Sequence, residues 1–299
     1  MPWHPHPALR PAGLLLAALA LVVLAGGLLA IGTRPAGVAD PERPTGLRLY
    51  PAPNLAMLDA LLELPLAAGL RIPVARSSVR RLPPDWPQAA PQQAERLRFV
   101  RVVLPLVLAA NEAILAERRR LRAIPAAGTR TTEDELWLAA LAARYGAEPS
   151  DRATLLNRVD AVPPSLALAQ AIIESGWGRS RFARAGNALF GQWTWARRGG
   201  LRPERARAEK GNYAVRAFPH LYAATVHYMD NLNRHPAYAG FRRERARQRA
   251  AGSAPSGRAL ATTLAAYSER GMKNVRLIQA VIRQNRLAPL DQVRLAPPR

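Results

Sequence analysis

Apolar residues recur at near-helical spacing over Gln92–Arg122, where Phe99, Val102, Val103, Leu106, Leu108, Ile114 and Leu115 predict a long helix. Its basic end, reaching Arg122, suits the negative pole of the helix dipole. Pro105 is expected to kink or divide it. After a turn at Pro125–Thr129, Thr131 or Thr132 caps a second helix with Glu133, Asp134 and Glu135 in its first turn. Leu136, Leu138, Leu141 and Ala142 supply its buried face, and Tyr145-Gly146 closes it. A short helix is expected over Arg152–Val159. Pro163 and Pro164 then start another, with Leu166, Ala169, Ile172 and Ile173 as its apolar stripe and Gly176 at its C-cap. Upstream, Leu58–Leu66 predicts a short helix, and the prolines and arginines between Arg80 and Pro87 mark a loop.

A different pattern occupies the start of the chain. Gly13 to Gly32 is a stretch of 20 uncharged residues, long enough to cross a bilayer as a helix. It runs past the length usual for a cleavable signal and meets no clean small-x-small site, which favours an uncleaved anchor over a signal peptide. Arg10 on one side and Arg34, Arg43 and Arg48 on the other leave the charge rule for orientation near a tie. Thr33–Thr45, rich in Pro, Gly and Ala, reads as a tether.

Composition narrows the class. Leu and Ala abound and β-branched runs are rare, so the fold is expected to be mainly α. The net charge is +22, and only Lys210 and Lys273 among the 43 basic residues are lysines. Arginine rises together with Ala, Pro and Gly, as base-composition bias produces, and the charge is spread through the whole chain. No aromatic-rich RNA-binding signature accompanies it, so a nucleic-acid partner is not expected, although affinity for anionic envelope polymers is compatible with the charge. The absence of cysteine excludes disulfides and thiol chemistry. GxxxxGK, GxGxxG, HExxH and GxSxG are all missing. His220, His227 and His235 lack metal-ligand spacing. Neither metal nor cofactor is expected.

The chemistry concentrates in Val162–Trp195. Glu174 falls in the last turn of an otherwise apolar helix, where the helix dipole and apolar neighbours such as Ile173 and Trp177 both disfavour its ionised form. A carboxylic acid that stays protonated near neutral pH is what a glycosidase needs to donate to a leaving glycosidic oxygen. Gln170 lies one turn earlier and is expected on the same groove. A surface glutamate paired with Arg179 or Arg181 is the competing explanation.

The run AQAIIESGWGRSRFARAGNALFGQW resembles the glucosaminidase domain of the Bax-type bacterial envelope proteins, relatives of the flagellar rod-cap peptidoglycan hydrolases. The resemblance continues through Val215–Arg242 and Tyr267–Leu287 and covers roughly Leu97 to Leu287. It implies a lysozyme-like, mainly helical domain at 97–290 with a small β-hairpin lobe, and endo-β-N-acetylglucosaminidase cleavage of peptidoglycan glycan strands. By position, Glu174 matches the catalytic glutamate, Asn187, Phe190 and Gly191 match an Asn-x-x-Phe-Gly block beside the cleft, and Tyr267 matches a tyrosine near the reacting sugar. Gln192, Trp193 and Trp195 follow that block as further substrate-binding positions. The assisting carboxylate falls in the hairpin region Arg202–Phe218, where Glu209 is preferred to Glu204; the substrate's own acetamido group is the alternative.

Around that domain, residues 1–12 are expected as a short tail, 13–32 as a transmembrane or signal segment, 33–96 as a tether and irregular region, and 291–299 as a flexible tail. The expected setting is the bacterial envelope, with the inner membrane engaged through the N-terminal helix and the catalytic part in the periplasm. A lytic transglycosylase or muramidase on the same fold, and a non-catalytic wall-binding protein, are the competing functions. Oligomeric state is left open.

Overall fold

The computed structural model describes residues 46–62, 73–87, 89, 92–126, 128–194, 199–203 and 213–298. The apolar stretch 13–32 and the tether to residue 45 lie outside the described residues.

The architecture is mainly helical. Short strand β1 (Arg48–Tyr50) and helix α1 (Leu55–Leu61) precede strand β2 (Ser77–Val79) and the long helix α2 (Gln93–Ala123). Then come α3 (Thr132–Tyr145), α4 (Arg152–Arg158), α5 (Pro164–Ser175) and α6 (Arg181–Gly186). Strands β3 (Trp193–Thr194), β4 (Gly200–Leu201) and β5 (Ala214–Arg216) follow, then α7 (Leu221–Arg234), α8 (Ala239–Ala250), α9 (Gly257–Leu260) and α10 (Met272–Gln284).

Local chemistry explains the boundaries. A capping box between Gln92 and Glu95 opens α2. Thr131 caps α3 by accepting from the Asp134 amide, and Gly146, at φ 64, ends it. Asp151 caps α4 in the same way, through Thr154. Pro105 does not divide α2, which runs unbroken across it. Although α2 is long and apolar enough to span a bilayer, 72% of its apolar window is buried within the protein, as a core helix requires.

Helix α2 packs against α5 and α7, and α5 also meets α9 and α10. Buried charges fasten these helices. Arg144 of α3 bonds Glu117 of α2 at 2.6 Å and Asp230 of α7 at 2.9 Å, while the Tyr145 hydroxyl donates to Glu117 at 2.9 Å. Asp160 likewise collects Arg249 at 2.5 Å and 2.7 Å.

Two flanking segments are more ordered than their composition suggests. Residues 46–62 and 73–87 were expected within an irregular stretch. Instead β1 pairs in parallel with β2, Ser78 donates to the Val102 carbonyl at 2.8 Å, and Leu47, Leu58, Val79 and Trp86 join the core. At the other end, the expected flexible tail holds Leu295 in a bridge with Val74, and Asp291 accepts from the Ser165 amide at 2.8 Å. Both features arise from long-range pairing, which local composition does not encode.

The sheet beside α6 is three-stranded and antiparallel, in the order β3-β5-β4, with Trp193 opposite Val215 and Gly200 opposite Arg216. It places the 190–194 segment at one wall of a cleft.

Candidate active site

The site is built at the C-terminal end of α5. Gly176, at φ 57, reverses the chain there, and its amide together with that of Trp177 returns to the Ile172 carbonyl. Ser175 secures the turn, its hydroxyl donating to the Ala171 carbonyl at 2.5 Å and accepting from the Gly178 amide at 2.8 Å. Trp177 packs edge-on against Phe99 with ring centroids 5.8 Å apart, beneath the Arg96 guanidinium. Its carbonyl accepts from the Trp86 indole at 2.9 Å. A Cβ at Gly178 would come within 2.7 Å of Leu82, so this turn and the N-terminal segment fit only with glycine there. The Ser-Gly-Trp-Gly run is thus a rigid turn that fixes Glu174.

Glu174 opens into a cleft of about 620 Å³. Among the described residues no hydrogen bond or ion pair holds its carboxylate. Burial pushes its pKa up, and the Arg270 guanidinium in the same cleft opposes the shift more weakly. Gly191, at φ +61, lies directly against it; a Cβ on that residue would stand 2.8 Å from the Glu174 Oε2. The glycine of the Asn-x-x-Phe-Gly block therefore lets backbone approach the carboxyl.

An aromatic series floors the cleft. Phe190 stacks on Tyr228 with centroids 4.1 Å apart and planes 7° from parallel. Tyr228 meets Tyr267 at 6.3 Å, Tyr267 meets Tyr238 at 6.0 Å, and Tyr238 meets His235 at 5.7 Å. Burial and the nearby Glu174 carboxylate push the hydroxyls of Tyr228, Tyr238 and Tyr267 above their ordinary range, so all three stay protonated. Trp193, 39% exposed, stacks on Tyr213 at 4.6 Å and lines the same cleft.

Of the residues expected from sequence, Glu174, Phe190, Gln192, Trp193 and Tyr267 come together here. Gln170 does not reach the groove. It is 1% exposed beneath the floor, accepting from the Tyr228 hydroxyl at 2.5 Å, because α5 is buried on nearly every side. Asn187 is also internal. It ends α6 in the left-handed region at φ 53, and its amide donates to the Phe218 carbonyl at 2.8 Å, which ties α6 to the strand β5 exit. The Tyr267 hydroxyl donates to the Phe190 carbonyl at 3.1 Å and holds the Phe190-Gly191 backbone in place. Glu204, Glu209 and Trp195 lie outside the described residues.

Sequence reasoning missed His227, Asn231, His235, Tyr238, Glu269, Arg270 and Asn274, which also line the cleft. The first three carried a usable signal, a spacing of four along α7 and its exit that places them on one face. Among the described residues no cluster of three or more His, Asp or Glu side chains has metal-binding geometry.

A desolvated carboxylic acid beside glycine backbone, over an aromatic floor, is equipment for protonating a leaving group on a ring-shaped substrate. Comparison with known proteins gives the class: residues 151–284 match the family model described as mannosyl-glycoprotein endo-beta-N-acetylglucosaminidase, and the chain belongs to this glucosaminidase family. It is similar to the "Protein bax" of Escherichia coli (strain K12), 31% identical over 206 residues that span 67% of this chain and 72% of that one. No solved structure matches.

Proposed function

We propose that the protein is a peptidoglycan hydrolase that cleaves the glycan strand at N-acetylglucosaminyl β-1,4 bonds, with Glu174 as general acid. The observation that carries this reading is the Glu174 carboxyl: desolvated, unbonded among the described residues, raised in pKa and opening into an aromatic-floored cleft. Burial shifts Glu174 towards its acid form, and in that form it donates its proton to the glycosidic oxygen as the bond from that oxygen to the anomeric carbon breaks. The departing sugar keeps that proton as its new hydroxyl, and the Glu174 carboxylate left behind shares the cleft with Arg270. A water molecule adds its OH to the anomeric carbon, while its remaining proton restores the acid form of Glu174. Trp193 presents flat apolar surface to the sugar rings, and Tyr267 acts as a positioning residue through the Phe190 carbonyl. In this reading the helical domain is lysozyme-like, and the β3-β5-β4 sheet is its small lobe over the cleft. Residues 13–32 anchor the chain in the inner membrane, and the catalytic part works in the bacterial envelope on the periplasmic side.

The test is incubation of the full-length protein with purified peptidoglycan, followed by mass spectrometry of the released fragments. Reducing N-acetylglucosamine ends are expected, and Glu174→Gln should abolish their release. Anhydro-muramic ends would assign a lytic transglycosylase instead, reducing muramic ends a muramidase, and binding without turnover a wall-binding protein.

A further inference from the structure

Two side chains in the cleft carry buried polar atoms with no hydrogen-bond partner among the described residues. Gln192 follows Gly191 and lines the cleft, yet both its Nε2 and its Oε1 are buried without a hydrogen bond. His227, on α7, lines the same cleft, and its Nδ1 is also buried and unpaired. Strand β5 links the two. The Arg216 amide donates to the Gln192 carbonyl at 2.8 Å, and the Arg216 Nη1 lies 2.9 Å from the His227 Nε2.

That second contact sets the histidine tautomer. A guanidinium has hydrogens to give and no lone pair to receive one, so Nε2 must accept. The proton of the neutral ring therefore sits on Nδ1. Burial and the adjacent Arg216 hold the ring pKa down at about 4, so this tautomer persists across the physiological range. The other charged or titratable groups facing His227 are Asp230 and Arg234, which act on it in opposite directions, and Phe218 covers one side of the ring edge-on at 5.4 Å. The result is a fixed N–H donor from His227, and a donor and an acceptor from the Gln192 amide, all buried and unsatisfied. An orphaned buried polar group is costly, and the cost is removed when a ligand supplies the complement.

We infer that Gln192 and His227 form a subsite for one secondary amide, the 2-acetamido group of an N-acetylated hexosamine. Its carbonyl oxygen accepts from the histidine Nδ1–H or the Gln192 amide, and its N–H donates to the Gln192 Oε1. A free ammonium at the same carbon offers no acceptor and leaves the His227 donor unpaired. This inference rests on the glycosidase reading of the cleft and adds the feature by which the cleft selects acetylated sugars.

The experiment measures binding of chitotetraose and of its fully de-N-acetylated counterpart to the full-length Glu174→Gln protein by calorimetry, with turnover by the wild type followed in parallel. Chitotetraose should bind about tenfold or more tightly than the amine form. Gln192→Ala and His227→Gln should each weaken chitotetraose about tenfold, leave the amine form unchanged and so erase the preference. His227→Asn, whose amide nitrogen can occupy the Nδ1 position, should restore it, an outcome that a merely structural histidine would not give. Gln192 sits on a different element and serves as the independent variant if the histidine changes unfold the protein. Wild-type turnover with an acetyl preference untouched by either substitution would overturn the subsite and leave the glycosidase reading standing. Absence of both turnover and binding would overturn the glycosidase reading itself, and the subsite with it.

Discussion

Gly191→Ala perturbs the site with a single methyl group. The added Cβ would stand 2.8 Å from the Glu174 Oε2 and 3.6 Å from the Glu174 Cβ. An ordinary van der Waals separation requires the carboxyl to retreat by roughly 0.5 Å. Because the obstructed atom is the end of a flexible side chain, this retreat costs little stability. The backbone at φ +61 adds about 1–2 kcal/mol, the usual cost of an L-residue in the left-handed region. For a protein of this size that lowers Tm by about 2–8 °C. Catalysis is far less tolerant, since a misplacement of about 1 Å at reacting groups can cost on the order of 100-fold. The expected outcome is a folded protein with kcat reduced about 10- to 100-fold and KM nearly unchanged. Release of reducing ends from peptidoglycan, read beside thermal melts, measures both quantities. A variant with the lowered Tm but wild-type kcat would show that Glu174 is not the proton donor or that Gly191 does not position it.

Three further outcomes are expected. Glu174→Gln should raise Tm at about pH 8, with the gap narrowing as the pH falls towards about 4. The sign follows from the raised folded-state pKa: between the unfolded and folded values the native state holds the proton more tightly, so rising pH costs the wild type stability that the neutral amide keeps. A lower Tm for the variant at pH 8 would contradict the desolvation argument, and the same raised pKa predicts that wild-type kcat falls as pH rises through it. Trp193→Ala should raise KM about three- to tenfold, with kcat and Tm little changed, because an exposed ring stacked on Tyr213 contributes sugar contact rather than core. Tyr267→Phe should lower Tm by a few degrees and kcat less than tenfold, the effect of one lost hydrogen bond of about 1 kcal/mol to the Phe190 carbonyl. A loss of about 1,000-fold would instead make the hydroxyl a catalytic group.

The helices were legible because their signals are local. Pro164 and Gly176 delimit α5 in sequence as they do in space, and Thr131 and Gly146 do the same for α3. The unusual setting of Glu174 was legible for the same reason, since a carboxyl in the last turn of an apolar helix is a matter of position on one helix. What escaped depends on the other side of each contact. Gln170 shares a helical face with Glu174, but the groove ends at Glu174, and the Tyr228 hydroxyl over Gln170 comes from a helix 58 residues away. Asn187 sits in a motif that borders the cleft, yet its work is to end α6 and to donate to Phe218. His227 gains its meaning from Arg216, whose side chain reaches it only once β5 and α7 are folded together. Asn231 reads as a helix-end residue in sequence, yet once α7 is folded it lines the cleft together with Tyr238.

Helix α5 shows why the acid can persist where it disfavours its own ionisation. Its first turn is served by a remote carboxylate, Asp291, which accepts from the Ser165 amide at 2.8 Å and the Ser165 hydroxyl at 2.9 Å, the end at which negative charge is favoured. Its last turn carries Glu174, the end at which negative charge is disfavoured by about 0.3–1 kcal/mol before desolvation is counted. Between them Leu166, Leu168 and Ile172 are essentially fully buried, each contributing about 1.5–3 kcal/mol. Packing along the helix thus exceeds the dipole cost at its end, and the helix has no need to release Glu174 to solvent. A carboxyl at the same place on a marginal helix would fray outward, become hydrated and ionise. The apolar length of α5 is therefore part of the carboxyl's chemistry: it holds the last turn closed, and the closed turn keeps Glu174 desolvated, which raises its pKa.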